Sequence, residues 1–277
     1  MSKKNSSRLI VNLLGIPSLL FIIYVGDNTF GIPLFSIFTG IVICLGVIEI
    51  PKFVKNLNGR PAVYILLSFI FILQFSRCPG IMWDFSDIFL IISLTVCTMV
   101  YELFRKQERP MLNISINLFA FIWLGMMLGS LSILRNLPDI GYIVTLILFL
   151  SIWFCDSAAY VMGKQFGKTK ILPEVSPNKT WIGTISGLLA SILFVVSLFY
   201  YNYLPQEFTL TNALILGLIS GVFGQLGDFT ESLLKREAQI KDSSELLMGH
   251  GGILDRFDSL IFAAPTTLIY IKYFIIV

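Results

Sequence analysis

Long apolar runs alternate with short polar breaks from one end of this chain to the other. They lie near residues 9–26, 30–50, 61–76, 85–101, 111–131, 139–158, 181–201, 211–227 and 257–276. Most are long enough for a helix to cross a hydrocarbon core ~30 Å thick, which takes about 17–25 residues. The third is short, and Pro61 at its start suits the first turn of a helix. The runs are continuously apolar rather than alternating, which argues against a β-barrel. The pattern therefore predicts an all-α, polytopic membrane protein with about nine transmembrane helices. The first run reads as a span rather than a cleaved leader, because it is long and no small-residue cleavage site follows it.

Composition supports this reading. Hydrophobic residues make up 56% of the 277 and charged residues 13%, against about 25% charged in soluble domains. Charge placement adds an orientation. With the N-terminus cytoplasmic and nine alternating spans, 17 of the 20 lysines and arginines fall on the inner side, as the positive-inside rule requires. Only Arg77, Arg135 and Lys272 fall outside. The chain then reads as an integral protein of a bacterial inner membrane, with its polar loops facing the cytoplasm. Lys52, Lys55, Arg105, Lys106 and Arg109 are expected to face anionic lipid. A net charge of +3 gives no reason to expect nucleic acid. Cys44, Cys78, Cys97 and Cys155 are scattered without C-x-x-C spacing, which excludes a recognisable zinc or redox motif.

The chain changes character near its middle. Residues 1–150 are N-terminal transmembrane helices joined by short loops. Residues 151–277 form a C-terminal region in which two polar segments interrupt the apolar runs. The first segment runs from Asp156, at the inner end of the sixth span, to Gly183. Gly163, Gly167, Lys164, Lys168 and Lys170 suit a loop that wraps an anion, although the spacing is not that of a Walker A loop. Ser176 is placed to cap the seventh span, with Pro177 at its first position. Exposed N–H groups there, with Lys179, would form a phosphate site.

The second segment, from Gln225 to Asp258, is the densest block of charge and glycine in the chain. If the eighth helix continues inward to Arg236, then Asp228, Glu231, Ser232 and Lys235 share one face. Asp255 and Asp258 share a face at the start of the ninth span. Carboxylates of this kind suit a hard divalent cation such as Mg²⁺, which binds one or two carboxylates plus substrate phosphates. Gly249-His250-Gly251-Gly252 forms a turn that lets backbone approach a ligand.

The run S-L-L-K-R-E-A-Q-I-K-D-S-S-E-L-L-M-G-H-G-G-I-L-D-R-F-D resembles the signature of the phosphatidate cytidylyltransferases, also called CDP-diacylglycerol synthases. G-D-F-T-E-S upstream and the stretch from Asp156 to Thr180 resemble that family's other motifs. The resemblance implies transfer of a cytidylyl group from CTP to phosphatidate or a similar lipid phosphate, with release of pyrophosphate, in phospholipid biosynthesis. It implies Mg²⁺ with room for a second cation, contact with membrane lipids, and a homodimer. By resemblance, Asp228 and Asp255 hold the metal, with Asp258 and Glu231 nearby. Ser176, Lys179 and Thr180 bind nucleotide phosphates, and Lys235, Arg236, Lys241 and Arg256 bind phosphates of CTP or lipid. Gly251 and Gly252 line the substrate, and His250 donates a hydrogen bond or shapes the turn.

Three positions depart from the family pattern. Met248 stands where proline is usual, Asn178 where lysine is usual, and Ile182 where glutamate is usual. Two other readings share part of this inventory. A CTP-dependent lipid kinase would attack the γ-phosphorus and lack the full signature. A transporter would carry mid-membrane charges and internal repeats, and this sequence shows no such repeat.

Overall fold

Apolar residues in unbroken runs satisfy their backbone hydrogen bonds internally by forming helices, as a bilayer demands. The structure, a computed structural model, describes residues 3–25, 33–79, 85–106, 108–244 and 251–276. In chain order the helices are α1 Lys3–Val25, α2 Leu34–Val54, α3 Val63–Ser76, α4 Asp87–Arg105 and α5 Pro110–Ala120. A π-helical stretch, Phe121–Leu128, joins α5 to α6 Ser130–Arg135. Then come α7 Gly141–Phe166, α8 Trp181–Tyr200, α9 Leu210–Glu237 and α10 Leu254–Phe274. Among the described residues there is no strand, only an antiparallel bridge between Lys170 and Thr180.

Every expected span contains a helix, but not every helix is long and apolar enough to cross a membrane. Among the described residues six are: α2, α4, the continuous α5–α6 stretch Pro110–Arg135, α7, α8 and α9. The 14 residues of α3 reach only about 21 Å at ~1.5 Å per residue. Asp255, Arg256 and Asp258 in its first turns and Lys272 in its last lower the hydropathy of α10. Helices also outrun the apolar runs that predict them. α7 extends through Phe166, so Gly163 and Lys164 lie in a helix rather than a loop. α9 continues to Glu237, as the spacing of its charged residues predicts.

The chain divides into two compact units. The first comprises Met1–Asn136 and Glu237–Arg256, the second Leu137–Arg236 and Phe257–Val277. In the first unit Phe35, Ile43, Leu66, Ile70, Leu94 and Leu124 are fully buried. Polar side chains fasten its helix ends. Arg60 N donates to Asn113 Oδ1 at 2.7 Å, and Asn113 Nδ2 donates to Glu102 Oε2 at 3.0 Å. Arg105 and Arg109 donate to the carbonyls of Arg60 and Leu57 at 2.7 and 2.8 Å. These two arginines, expected to face lipid, also tie loop backbone. The π-helical stretch leaves the Gly125 carbonyl to side chains, and Gln74 Nε2 and Arg77 Nη1 each donate to it at 3.1 Å.

Small residues let the helices of the second unit approach closely, as is common where lipid replaces water. A Cβ on Gly187 of α8 would stand 2.8 Å from the Cys155 carbonyl of α7. One on Gly217 of α9 would stand 2.6 Å from the Ile192 Cα of α8. At the same crossing Ser191 Oγ donates to the Gly217 carbonyl at 2.9 Å. Outward, α8 presents Ile185, Leu189 and Leu193 at a spacing of one helical turn. On α4 of the first unit, Ile88, Ile92, Val96 and Met99 are likewise exposed. Apolar faces of this extent fit an integral membrane protein.

The α8–α9 crossing has no room for a branched side chain. Gly217→Val is expected to cost about 1–3 kcal/mol, as overpacking of a close contact does. A lowered thermal midpoint of the purified protein in detergent would show it, and an unchanged midpoint would contradict the packing described.

Candidate active site

Four elements of the second unit each deliver one ionisable group to the same neighbourhood. Asp156 comes from α7, Lys179 from the segment before α8, Asp228 from α9 and Asp258 from the first turns of α10. Backbone packing brings the last two together. A Cβ on Gly227 would collide with the Asp258 carbonyl oxygen, so only glycine lets α9 pass this close to α10.

The segment carrying Lys179 is a short pinched loop. Ile171 N donates to the Lys179 carbonyl at 3.2 Å, and Trp181 N donates to the Thr169 carbonyl at 3.1 Å. Thr180 is the residue that caps α8: its Oγ1 accepts from Gly183 N at 3.2 Å. This corrects the expectation that Ser176 caps the helix with Pro177 at its first position. Both lie before the loop closes, and the Ser176 carbonyl accepts from Lys179 N at 3.3 Å. The glycines here also have a different use from the one expected. Cβ atoms on Gly163 and Gly167 would press on Thr180, so they make room for the cap. Arg236 Nε reaches back from α9 to the Val175 carbonyl at 3.0 Å and ties the loop down.

Lys179 Nζ lies 2.6 Å from Asp228 Oδ2, and also 4.1 Å from the centre of the Phe229 ring. Asp156, Asp228 and Asp258 lie within electrostatic reach of one another, and Lys179 acts on Asp156 and Asp258 as well. Asp258 Oδ1 accepts from Ser259 N at 2.6 Å. Three carboxylates therefore face one ammonium at the end of apolar helices. Asp156 is exposed and Lys179, Asp228 and Asp258 are half-buried, so the group is open to a ligand, and further positive charge would relieve the repulsion among its carboxylates.

The donor set fits a hard divalent cation, since it offers only carboxylate oxygens. Among the described residues no three His, Cys, Asp or Glu side chains already form a ligand cluster. Mg²⁺ held by one or two carboxylates and completed by substrate phosphates needs no such cluster.

Other residues marked out by the sequence are placed as follows. Glu231 is fully buried on α9 and pairs with Lys235 Nζ at 2.5 Å. Ser232 Oγ donates to Asp228 Oδ1 at 3.4 Å. Thr180 is buried, and Ser176 and Lys179 are half-buried. Asp255 belongs to the first unit. There its Oδ2 accepts from Gly252 N at 2.6 Å and from Ser243 N at 3.0 Å, with Ser243 Oγ also 3.0 Å away. Gly251 adopts φ +81°, a conformation open mainly to glycine. Lys241 and Arg256 are exposed in the same unit. His250 and Met248 lie outside the described residues. Ile182, in the first turn of α8, is exposed. Asp156 was not among the site residues expected from the sequence. Its signal was an ionisable group ending an apolar run, which membrane helices rarely carry without a use.

The model of the cytidylyltransferase family matches residues 6–274. The chain belongs to that family. A phosphatidate cytidylyltransferase of Bacillus subtilis is 32% identical over 262 residues, covering 93% of this chain and 94% of the relative. The Haemophilus influenzae enzyme of the same name is 40% identical over 166 residues, which is 57% of each chain. The Synechocystis one is 46% identical over 142 residues, 51% of this chain and 46% of the relative. Identity is thus higher over partial matches than over the near full-length one.

For a cytidylyltransferase, the ion pair at the centre of the carboxylate group has a direct consequence. Lys179→Met should slow cytidylyl transfer by about a hundredfold or more, the scale of losing one preorganised electrostatic contact. Initial rates of labelled product formation measure it, and a rate near wild type would remove Lys179 from the site.

Proposed function

We propose that this chain is a phosphatidate cytidylyltransferase, which joins the CMP moiety of CTP to phosphatidate and releases pyrophosphate. The observation that carries the reading is the Lys179–Asp228 pair at 2.6 Å, set among Asp156 and Asp258, in a chain of this family. In the reaction an oxygen of the lipid phosphate attacks the α-phosphorus of CTP. A new P–O bond forms as the bond to the β-phosphate oxygen breaks, and the electron pair leaves with pyrophosphate. A phosphomonoester dianion is already nucleophilic, so no general base is required. The work left to the protein is positioning two anions that repel each other and neutralising their charge.

Asp228 and Asp258, with Asp156 beside them, would hold Mg²⁺, which supplies charge neutralisation and a template for the phosphates. Lys179 orients Asp228 and supplies positive charge to the triphosphate. Lys235 is held by Glu231, and Arg236 by the Val175 carbonyl, which fixes two further cations on the last turns of α9. The roles proposed for Ser176, Thr180, Lys241, His250, Gly251, Gly252, Asp255 and Arg256 rest on their match to the signature. A second cation and a homodimer are parts of the same proposal and rest on the resemblance. Nine spans with a cytoplasmic N-terminus, in a bacterial inner membrane, are supported by the basic-residue asymmetry. That orientation puts the charged helix ends where CTP is found, and phosphatidate can present its phosphate there with its tails in the bilayer.

The test uses purified protein in mixed micelles with phosphatidate, Mg²⁺ and CTP labelled on its α-phosphorus. The expected product is a labelled CDP-lipid that is lost with EDTA and absent in Asp228→Asn. Label entering lipid from the γ-phosphorus instead would make the chain a lipid kinase, and no label from either would overturn both.

A further inference from the structure

Glu49 stands alone as an acidic residue in α2, and it is 1% exposed. A buried carboxylate in an apolar helix is costly unless its oxygens are fully engaged. Those of Glu49 are engaged by a segment about two hundred residues away in sequence, within the same unit. Ser243 Oγ donates to Oε2 at 2.7 Å and Ser244 Oγ to Oε1 at 2.5 Å. Ile253 N donates to Oε1 at 2.9 Å and Leu254 N to Oε2 at 3.1 Å. One side chain thus receives four donors, two from each end of the stretch between Ser243 and Leu254.

The surrounding packing is built around this contact. A Cβ on Gly252 would stand 2.5 Å from both Glu49 carboxylate oxygens, so the backbone comes this close only because residue 252 is glycine. On the same face of α2, a Cβ on Gly46 would stand 3.0 Å from Leu254 Cδ2. Beyond the helix, Asn56 Nδ2 donates to the Ala238 carbonyl at 2.7 Å. Positions 46, 49, 53 and 56 recur at helical spacing. Ser243, which donates to Glu49, also donates through its backbone N to Asp255 Oδ2 at 3.0 Å. The α2 carboxylate is therefore linked through one serine to the signature aspartate.

We propose that Glu49 is a positioning residue for cytidylyl transfer: it clamps both ends of the Ser243–Leu254 stretch and so fixes the signature that carries Asp255. This rests on the function proposed above. Glu49 touches no reacting atom in this account. It acts by holding backbone and Asp255 in place, and small displacements of such groups are costly to rate.

Glu49→Gln keeps the shape but turns an amide N–H₂ toward a backbone N–H that can only donate, that of Ile253 or Leu254. Its kcat is expected to fall roughly tenfold to a hundredfold, with KM for CTP changed by less than about threefold. Trypsin cleavage after exposed Lys241 should accelerate while cleavage after Lys168 does not, which separates a released segment from global unfolding. Ser244→Ala, a milder change, should lower kcat in the same direction, and adding it to Glu49→Gln should cost less than the sum of the two. If Glu49→Gln is folded and has wild-type kcat, the proposal fails. If Glu49→Gln does not fold, Ser244→Ala decides: lowered kcat supports the clamp, and wild-type kcat overturns it. Loss of all CDP-lipid synthesis in the wild-type chain would instead overturn the function proposed above.

Discussion

The Lys179–Asp228 pair sets the terms for the second unit. An ion pair at the end of apolar helices is stable only if its geometry is good and the remaining charge nearby is balanced. Here the geometry is close, at 2.6 Å, but Asp156 and Asp258 add negative charge that one ammonium does not offset. The members of this group are exposed or half-buried, and ion pairs open to water add little to stability. Retaining the group makes sense where cations and phosphates complete the balance during turnover. The chemistry proposed for this family member, bringing two phosphate anions together, uses that kind of site.

The helices reach this arrangement through small residues rather than through large apolar contacts. Lipid gives no hydrophobic push between helices, so close approach and hydrogen bonding to backbone carry more of the association. Gly187, Gly217 and Gly227 each stand where a neighbouring backbone leaves no space for a side chain. Gly163 and Gly167 do the same around Thr180, and the capped start of α8 then holds Lys179 toward Asp228. In the first unit the same logic serves polar groups, where Gly252 admits Glu49 to the signature backbone.

Much of this was legible in the sequence because membrane helices are long and their charges sparse. The apolar runs located the long helices, and the spacing of Asp228, Glu231, Ser232 and Lys235 foretold that α9 continues past its apolar run. Lys235 pairs with Glu231 and Ser232 bonds Asp228, each one helical turn apart. Capping was read less well. Ser176-Pro177 has the form of a helix start, but the bridge between Lys170 and Thr180 delays the helix until Trp181. That bridge depends on two stretches ten residues apart pairing, which no local propensity reports. Gly163 and Lys164 looked like loop residues because glycine beside lysine reads as a break, whereas packing keeps them in α7. Glu49 was passed over because its partners are remote in sequence, although a lone acid in an apolar run is itself a signal. Six of the nine expected spans are long and apolar enough to cross a membrane among the described residues, while α3 is short and α10 carries charge at both ends.

The central claim is that the carboxylates around Lys179 form a site that CTP completes together with a divalent cation. Equilibrium binding of labelled CTP to the purified protein, with Mg²⁺ or with EDTA, tests it most directly when wild type is compared with Asp258→Asn. The account predicts that retention of CTP requires both Mg²⁺ and the Asp258 carboxylate. Equal binding in EDTA, or undiminished Mg²⁺-dependent binding by the variant, would contradict it.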